Sequence, residues 1–288
     1  MARINRAIEL LEQEKPIFFT GVTELGFESG RRHADTWMDY ICIDLEHLPF
    51  DMTALSAFMD GLVAAGPAPS GHLTPSVIVT LPFDGTDERS VRTNSWMIKQ
   101  ALATGVHGLM LCHVESPGAV RAFVESARYA CQAQGNKGLG VGRRGSGGQE
   151  RAAKIWGLPI SDYLDRADVW PFNPQGELML GLKLEDPWAL DHADACLNVA
   201  GIALAEWGPG DMGMGFGLKD AHDPPYPPKM QNARRIVKDA CDKSGVAFLN
   251  IVTEETVRNE LDDGVMVGAA VTEEAARIGR LHSKRELC

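Results

Sequence analysis

Eight short apolar runs recur along this chain, separated by amphipathic segments, and that alternation limits the fold more than any other feature. The runs are Pro16–Gly21, Asp39–Leu45, Ser76–Leu81, Gly108–His113, Leu180–Glu185, Gly201–Trp207, Gly245–Ile251 and Gly264–Ala269. Most are near-continuous in Val, Ile, Leu and Ala, the pattern of strands covered on both faces. Helix starts are legible between them. Asp51 precedes a helical face of Leu55, Phe58, Met59, Leu62 and Val63, and Ser116-Pro117 offers a cap and an N1 proline. Asp186-Pro187 repeats that device, and Thr253 and Thr272 each precede two glutamates suited to a helix N-terminus.

Strands alternating with helices over this length predict an α/β fold, a (β/α)8 TIM barrel forming one domain over residues 1–288. A doubly wound open sheet is the competing arrangement. Three connections read as long catalytic-face loops: 83–95, which carries Arg89 and Arg92; 135–160, Gly-rich and basic; and 217–230. Gly140 to Gly145 spells G-x-G-x-x-G, but the strand before it is too short and no helix opens on its last glycine, so nucleotide binding is not expected.

In such a barrel the chemistry lies where strands end on the C-terminal face. That rule singles out Asp44 and His47, Thr80, His113, Lys183 and Glu185, Asp211 and Asn250. Lys183 and Glu185 alternate with Leu182 and Leu184, so both polar side chains point into the same space. Glu185 and Asp211 on neighbouring strand ends would meet at the rim, where two oxygens and open positions suit Mg²⁺ or Mn²⁺. The other reading makes Glu185 a helix cap and Asp211 a turn residue. Asp44, three residues before His47, can orient the imidazole and leave its second nitrogen free as a base.

Composition removes several classes. The net charge is −11, with no dense run of Lys or Arg, so nucleic acid is not an expected partner. No apolar run reaches membrane-spanning length, and MARINRAIELLEQEK reads as an amphipathic helix without a signal core. The cysteines at 42, 112, 131, 196, 241 and 288 lack paired metal spacing. A reduced, cytoplasmic protein is expected.

Taken together, IDLEHLPFD, IKQALATGVHGLMLCHVES, LKLED and WGPGDM, in this order and spacing, resemble the HpcH/HpaI family of class II aldolases over residues 16–270. The resemblance implies a (β/α)8 barrel, a homo-oligomer (a hexamer), and cleavage or formation of 4-hydroxy-2-oxo acids from pyruvate and an aldehyde through a metal-bound enolate. It implies Glu185 and Asp211 as ligands of a divalent metal, Mg²⁺ or Mn²⁺ with Co²⁺ a further candidate. The amides around Gly210 and Asp211 become the seat of the pyruvate carboxylate, and His47, held by Asp44, becomes the base. Thr80, His113 and Trp207 are counted with the substrate-binding residues. Departures from the family's pattern stand at three positions: Thr80 where an arginine is usual, Lys183 for glutamine, and His113 for proline. Lys183, or Arg89 or Arg92, is expected to replace the missing arginine's charge. Alternatives on the same frame are oxaloacetate decarboxylation, a Schiff-base aldolase using Lys183, and a non-catalytic 2-oxo acid binder.

Overall fold

In the computed structural model, which describes residues 2–132 and 137–285, parallel strands and helices alternate as the runs predict. The strands are β1 (Ile17–Phe19), β2 (Gly21–Val22), β3 (Tyr40–Asp44), β4 (Ser76–Asp84) and β5 (Gly108–Cys112). They continue as β6 (Val169–Trp170), β7 (Leu178–Lys183), β8 (Leu204–Glu206), β9 (Ala247–Val252) and β10 (Val267–Ala270). The sheet runs β1-β10-β9-β8-β7-β5-β4-β3-β2, with β6 added only to the start of β7.

An interruption in the first strand is what closes the barrel. β1 pairs in parallel with β10, Ile17 beside Val267. One residue later the same stretch resumes as β2 and pairs with β3, Gly21 beside Cys42. Asp39 N–H also donates to the Phe18 carbonyl at 2.9 Å. β1 and β2 therefore fill one staggered position, and the first apolar run meets both the second and the last.

Strand alternation sorts the side chains into two cores. Ile17, Tyr40, Ile78, Met110, Leu204 and Val267 point into the lumen, while Leu55, Phe58, Val120 and Phe123 of the surrounding helices pack on the outer faces. Complete burial of each large outer side chain contributes about 1.5–3 kcal/mol. The lumen is tight: a Cβ at Gly181 would lie 2.1 Å from Met110 Sδ and 3.0 Å from Leu204 Cγ, so a larger residue there would force Met110 to move. Helix Arg6–Leu11 seals the N-terminal end with Ala7, Ile8 and Leu10. Asn5 fixes that plug, its amide donating to the carbonyls of His107 (3.3 Å) and Glu177 (3.1 Å) just before β5 and β7. With one end plugged, the C-terminal mouth is where the lumen opens to solvent.

Helix starts follow their caps. Asp51 accepts from Thr53 N and Ala54 N to open Met52–Ala65, and Ser116 accepts from Ala119 N to open Pro117–Ala127. Asp186 departs from expectation. A 3₁₀ helix, Pro187–His192, follows it without a side-chain cap, because the Asp186 carboxylate is engaged by His113 instead.

Two of the expected catalytic-face loops are corrected. Residues 83–95 hold the end of β4 and, from Glu88, the helix Glu88–Ala103, whose cap is Asp87 accepting from Ser90 N. Of the stretch 135–160, positions 135 and 136 are outside the described residues, as is Cys288; residues 137–160 lead from helix Pro117–Ala127 into helix Ile160–Arg166, ahead of β6 and β7, and so lie toward the N-terminal side. The stretch contains helix Gln149–Ile155, and Trp156 Nε1 donates to the Gly105 carbonyl in the turn before β5. Gly140 to Gly145 contains no helix, and Gly140 N–H donates to Glu125 Oε1. The third stretch, 217–230, does follow a strand end, and helix Pro228–Ser244 begins within it. Among the described residues no helix is long and apolar enough to cross a membrane.

Candidate active site

At the end of β3 the chain turns on Asp44. Its Oδ1 accepts from Glu46 N (2.9 Å) and His47 N (3.3 Å), and its Oδ2 meets His47 Nδ1 at 2.8 Å. The turn and the imidazole are thus held by one carboxylate, and the dyad read from the sequence is formed. His47 is 64% exposed at the rim. Its hydrogen bond to Asp44 raises its pKa above the ordinary histidine value, with slight burial opposing. Nε2 carries no hydrogen bond among the described residues.

The same turn swings Glu46 inward, and this glutamate, not singled out from the sequence, sits at the centre of the mouth. Its Oε2 lies 2.5 Å from Lys183 Nζ and its Oε1 3.1 Å from His113 Nε2. Burial acts against ionisation of Glu46, but His113 and Lys183 outweigh it and bring the pKa down to about 2.

His113 ends β5 with φ +46°, a left-handed backbone that a non-glycine residue adopts at a cost of about 1–3 kcal/mol. That conformation turns its N–H onto Glu185 Oε1 at 3.0 Å, while Nδ1 meets Asp186 Oδ2 at 2.9 Å. Bonds to Asp186 first and Glu46 second push the imidazole up to about 11, so it is a cation at neutral pH.

Glu185 is fully buried, two residues beyond β7. Its Oε2 is ion-paired with Lys183 Nζ at 2.9 Å and takes no other donor among the described residues. Burial pushes its pKa above the usual carboxylate range, and the Lys183 charge works in the other direction, favouring the ionised form. Lys183 is held protonated: burial opposes the charge, but Glu185, Cys112, Glu206 and Glu46 raise its pKa. The lysine therefore pairs with Glu185, as its strand position predicts, and with Glu46.

The loop after β8 closes over Glu185. Gly208 adopts φ +51°, and a Cβ there would fall 2.6 Å from Glu185 Oε2, so only glycine leaves the space beside that oxygen open. Asp211 follows in the first turn of helix Pro209–Gly215, and a Cβ on Gly210 would lie 3.1 Å from the His222 ring of the 217–230 stretch. Glu206, the inward residue opposite Lys183 in the β7–β8 register, adds another acid. Burial raises its pKa, offset by Lys183 and reinforced by Glu46, Asp211 and Asp44.

Among the described residues, two sets of three have their ligand atoms within 4.8 Å of one another: Asp44, Glu46 and His47, and Glu46, His113 and Glu185; Asp211 is in neither. The acids of the mouth outnumber its cations, and Glu185 Oε2 is a buried oxygen that takes no donor besides Lys183 among the described residues. These features fit a divalent cation. Thr80, beside Asp44 in the β3–β4 register, is buried in the lumen with Cys42 Sγ 4.0 Å from its hydroxyl.

Several expected site residues stand elsewhere. Trp207 is one residue past Glu206 and faces outward: it is fully buried, donates to Asn250 Oδ1 at 2.9 Å and packs edge-on against Tyr226. It anchors the 217–230 stretch and does not line the mouth. Asn250 accordingly serves that outer layer. Arg92 lies between helices, paired with Glu88 and Glu125, and Arg89 is exposed on the same helix without an ion pair among the described residues. Neither replaces a strand-end arginine.

No family model matches the chain. In sequence it is similar to a hydroxypyruvate/pyruvate aldolase of Deinococcus radiodurans, 28% identical over 184 residues, which cover 64% of this chain and 54% of that protein. It is also similar to a 2-keto-3-deoxy-L-rhamnonate aldolase of Klebsiella pneumoniae, 28% identical over 187 residues, 65% of this chain and 57% of that one. The matched stretches thus span little more than half the length of these relatives. In fold it is similar to an HpcH/HpaI aldolase/citrate lyase family protein of Burkholderia cenocepacia, with a TM-score of 0.72, 20% identity, and 97% and 96% of the two chains covered. A citrate lyase β subunit of Mycobacterium tuberculosis, described with oxaloacetate and magnesium, shares the fold at a TM-score of 0.53 and 14% identity, with 94% and 97% covered. The motifs that resemble HpcH/HpaI aldolases therefore sit on a barrel of the HpcH/HpaI kind.

Proposed function

From its similarity to 2-oxo acid aldolases in sequence and to HpcH/HpaI aldolases in fold, we propose that this chain is a divalent-metal-dependent carbon–carbon lyase. It joins pyruvate to an aldehyde, or cleaves the corresponding 4-hydroxy-2-oxo acid. The observation that carries this reading is Glu185 Oε2, a buried carboxylate oxygen that meets the Lys183 ammonium at 2.9 Å, takes no other donor among the described residues, and faces the Gly208–Asp211 loop at the open end of the barrel.

Glu185 and Asp211 would hold the ion, Mg²⁺, Mn²⁺ or Co²⁺; Glu46 lies within 4.8 Å of Glu185 in the same cluster of ligand atoms. A cation bound there supplies positive charge where negative charge develops on the oxygens of a 2-oxo acid. His113 fixes Glu185 through its backbone N–H, so the second oxygen stays directed at the mouth. The amides near Gly210 and Asp211 would seat the substrate carboxylate. Asp44 holds His47 Nδ1, which leaves Nε2 to take the proton of the C4 hydroxyl in cleavage and to return it in synthesis. Lys183 contributes charge rather than a nucleophile, because two carboxylates keep its amine protonated and a Schiff base requires the neutral amine.

Five unpaired cysteines among the described residues suit a reducing compartment, and we place the enzyme in the cytoplasm as a homo-oligomer. The test is incubation of chelator-treated protein with pyruvate and a panel of aldehydes, and separately with oxaloacetate, with Mg²⁺, Mn²⁺ or Co²⁺ restored. Product that forms only with the ion, and is lost in Glu185→Gln, is expected. Full activity in chelator would contradict metal dependence, and turnover of oxaloacetate alone would reassign the site to decarboxylation.

A further inference from the structure

Glu185 offers its two oxygens to different partners. Oε1 is taken by His113 N–H at 3.0 Å. Oε2, buried and paired with the Lys183 ammonium at 2.9 Å, takes no other donor among the described residues and is the oxygen left for a divalent ion. An ion bound to Oε2 at about 2.1 Å would stand no more than about 5 Å from Nζ. A divalent and a monovalent cation at that separation, in a mouth where Lys183 is only 12% exposed, repel each other with little solvent screening.

Lys183 has a second anchor. Glu46 Oε2 is 2.5 Å from Nζ, and Glu46 is itself fixed by His113 Nε2 at 3.1 Å. The ammonium can thus leave Glu185 without losing its counter-charge.

We infer that Lys183 is a resident competitor for the metal site: it shares Glu185 when no divalent ion is bound and rests on Glu46 when one is, lowering the site's affinity for the ion. The inference rests on Glu185 being a metal ligand. The competition raises the free ion concentration needed to fill the site, with the lysine holding the carboxylate in place between loadings.

Calorimetric titration of Mn²⁺ into chelator-treated wild type, Lys183→Met, Lys183→Gln and Glu185→Gln tests it. Binding at least tenfold tighter in both Lys183 variants is expected, together with a larger Mn²⁺-induced rise in Tm than in wild type. The Tm readout serves if Lys183→Met folds only with the ion present, since Mn²⁺-dependent folding is itself the expected result. Glu46→Gln should weaken Mn²⁺ binding more in wild type than in the Lys183→Met background, because only in the former does the ammonium fall back on Glu185. Equal losses in both backgrounds would overturn the role of Glu46. Unchanged or weaker binding in the Lys183 variants would overturn the competition while leaving Glu185 as a ligand. Absence of Mn²⁺ binding in every protein, or binding untouched by Glu185→Gln, would overturn the metal reading and the inference with it.

Discussion

Lys183 and Glu185, two residues apart across the end of one strand, meet at 2.9 Å in the mouth of the barrel. The carboxylate is fully buried, and its partner oxygen is held by the backbone of His113. Strand alternation brings the pair together, and left-handed backbone at His113 orients it. A buried carboxylate braced on one side and open on the other is suited to receive a cation and poorly suited to a purely structural role.

Gly208→Ala tests the space beside Glu185. The added methyl would lie 2.4 Å from Glu185 Cβ at a φ of +51°. The left-handed backbone alone costs about 1–2 kcal/mol, so Tm falls by a few degrees. Mn²⁺ affinity, read by calorimetry, should fall by at least about tenfold as Glu185 is pushed aside. Unaltered affinity would place the ion elsewhere.

The Asp44–His47 dyad predicts a split between chemistry and binding. His47→Ala should lower turnover by about two to four orders of magnitude, the range of a lost general base, with Mn²⁺ affinity unchanged because Glu185 and Asp211 are untouched. Asp44→Asn should lower turnover too, through loss of the 2.8 Å contact to Nδ1. Steady-state kinetics beside metal titration measure both, and an unaltered rate in His47→Ala removes it from the reaction.

His107, at the opposite end of the barrel, predicts a pH dependence of stability. It is buried against Trp156, and its Nδ1 accepts from Val77 N at 3.1 Å. Burial, with His72 adding to it, brings its pKa down to about 3. The unfolded imidazole titrates near about 6.5. Between those values the unfolded chain binds a proton that the folded chain refuses, so stability is lost as pH falls from 6.5 toward 3. Urea unfolding at pH 7 and pH 5 should show wild type losing about 2 kcal/mol more than His107→Gln. Parallel losses would show that His107 does not couple to pH.

Much of this architecture is legible in the sequence because each strand is an apolar run and each following helix opens on a recognisable residue such as Asp51 or Ser116. The interruption at Thr20 that lets one run pair on both sides left no mark in composition. Alternation placed Lys183 and Glu185 in the same space, and applied to β8 it finds Glu206 inward and Trp207 outward. Trp207 reads as a mouth residue only when strand end is taken as sufficient and facing is ignored. Arg89 and Arg92 were misplaced because a polar stretch resembles a loop, although Asp87 three residues before Ser90 marks a helix start. Glu46 was hidden for another reason: it lies past the end of β3, where a turn on Asp44 sets the direction and strand periodicity no longer applies. The pairing of His113 with Asp186 depends on a left-handed backbone, which a histidine does not advertise.

Exchange of the pyruvate methyl protons in D₂O, followed by proton NMR without any aldehyde, tests the central claim most directly, since it reads enolisation independently of the second substrate. With Mg²⁺ the methyl signal should decay in the presence of enzyme, and the decay should stop on adding chelator and in Glu185→Gln. Exchange that persists in chelator, or that Glu185→Gln leaves unchanged, would contradict a cation held at Glu185 as the source of the chemistry.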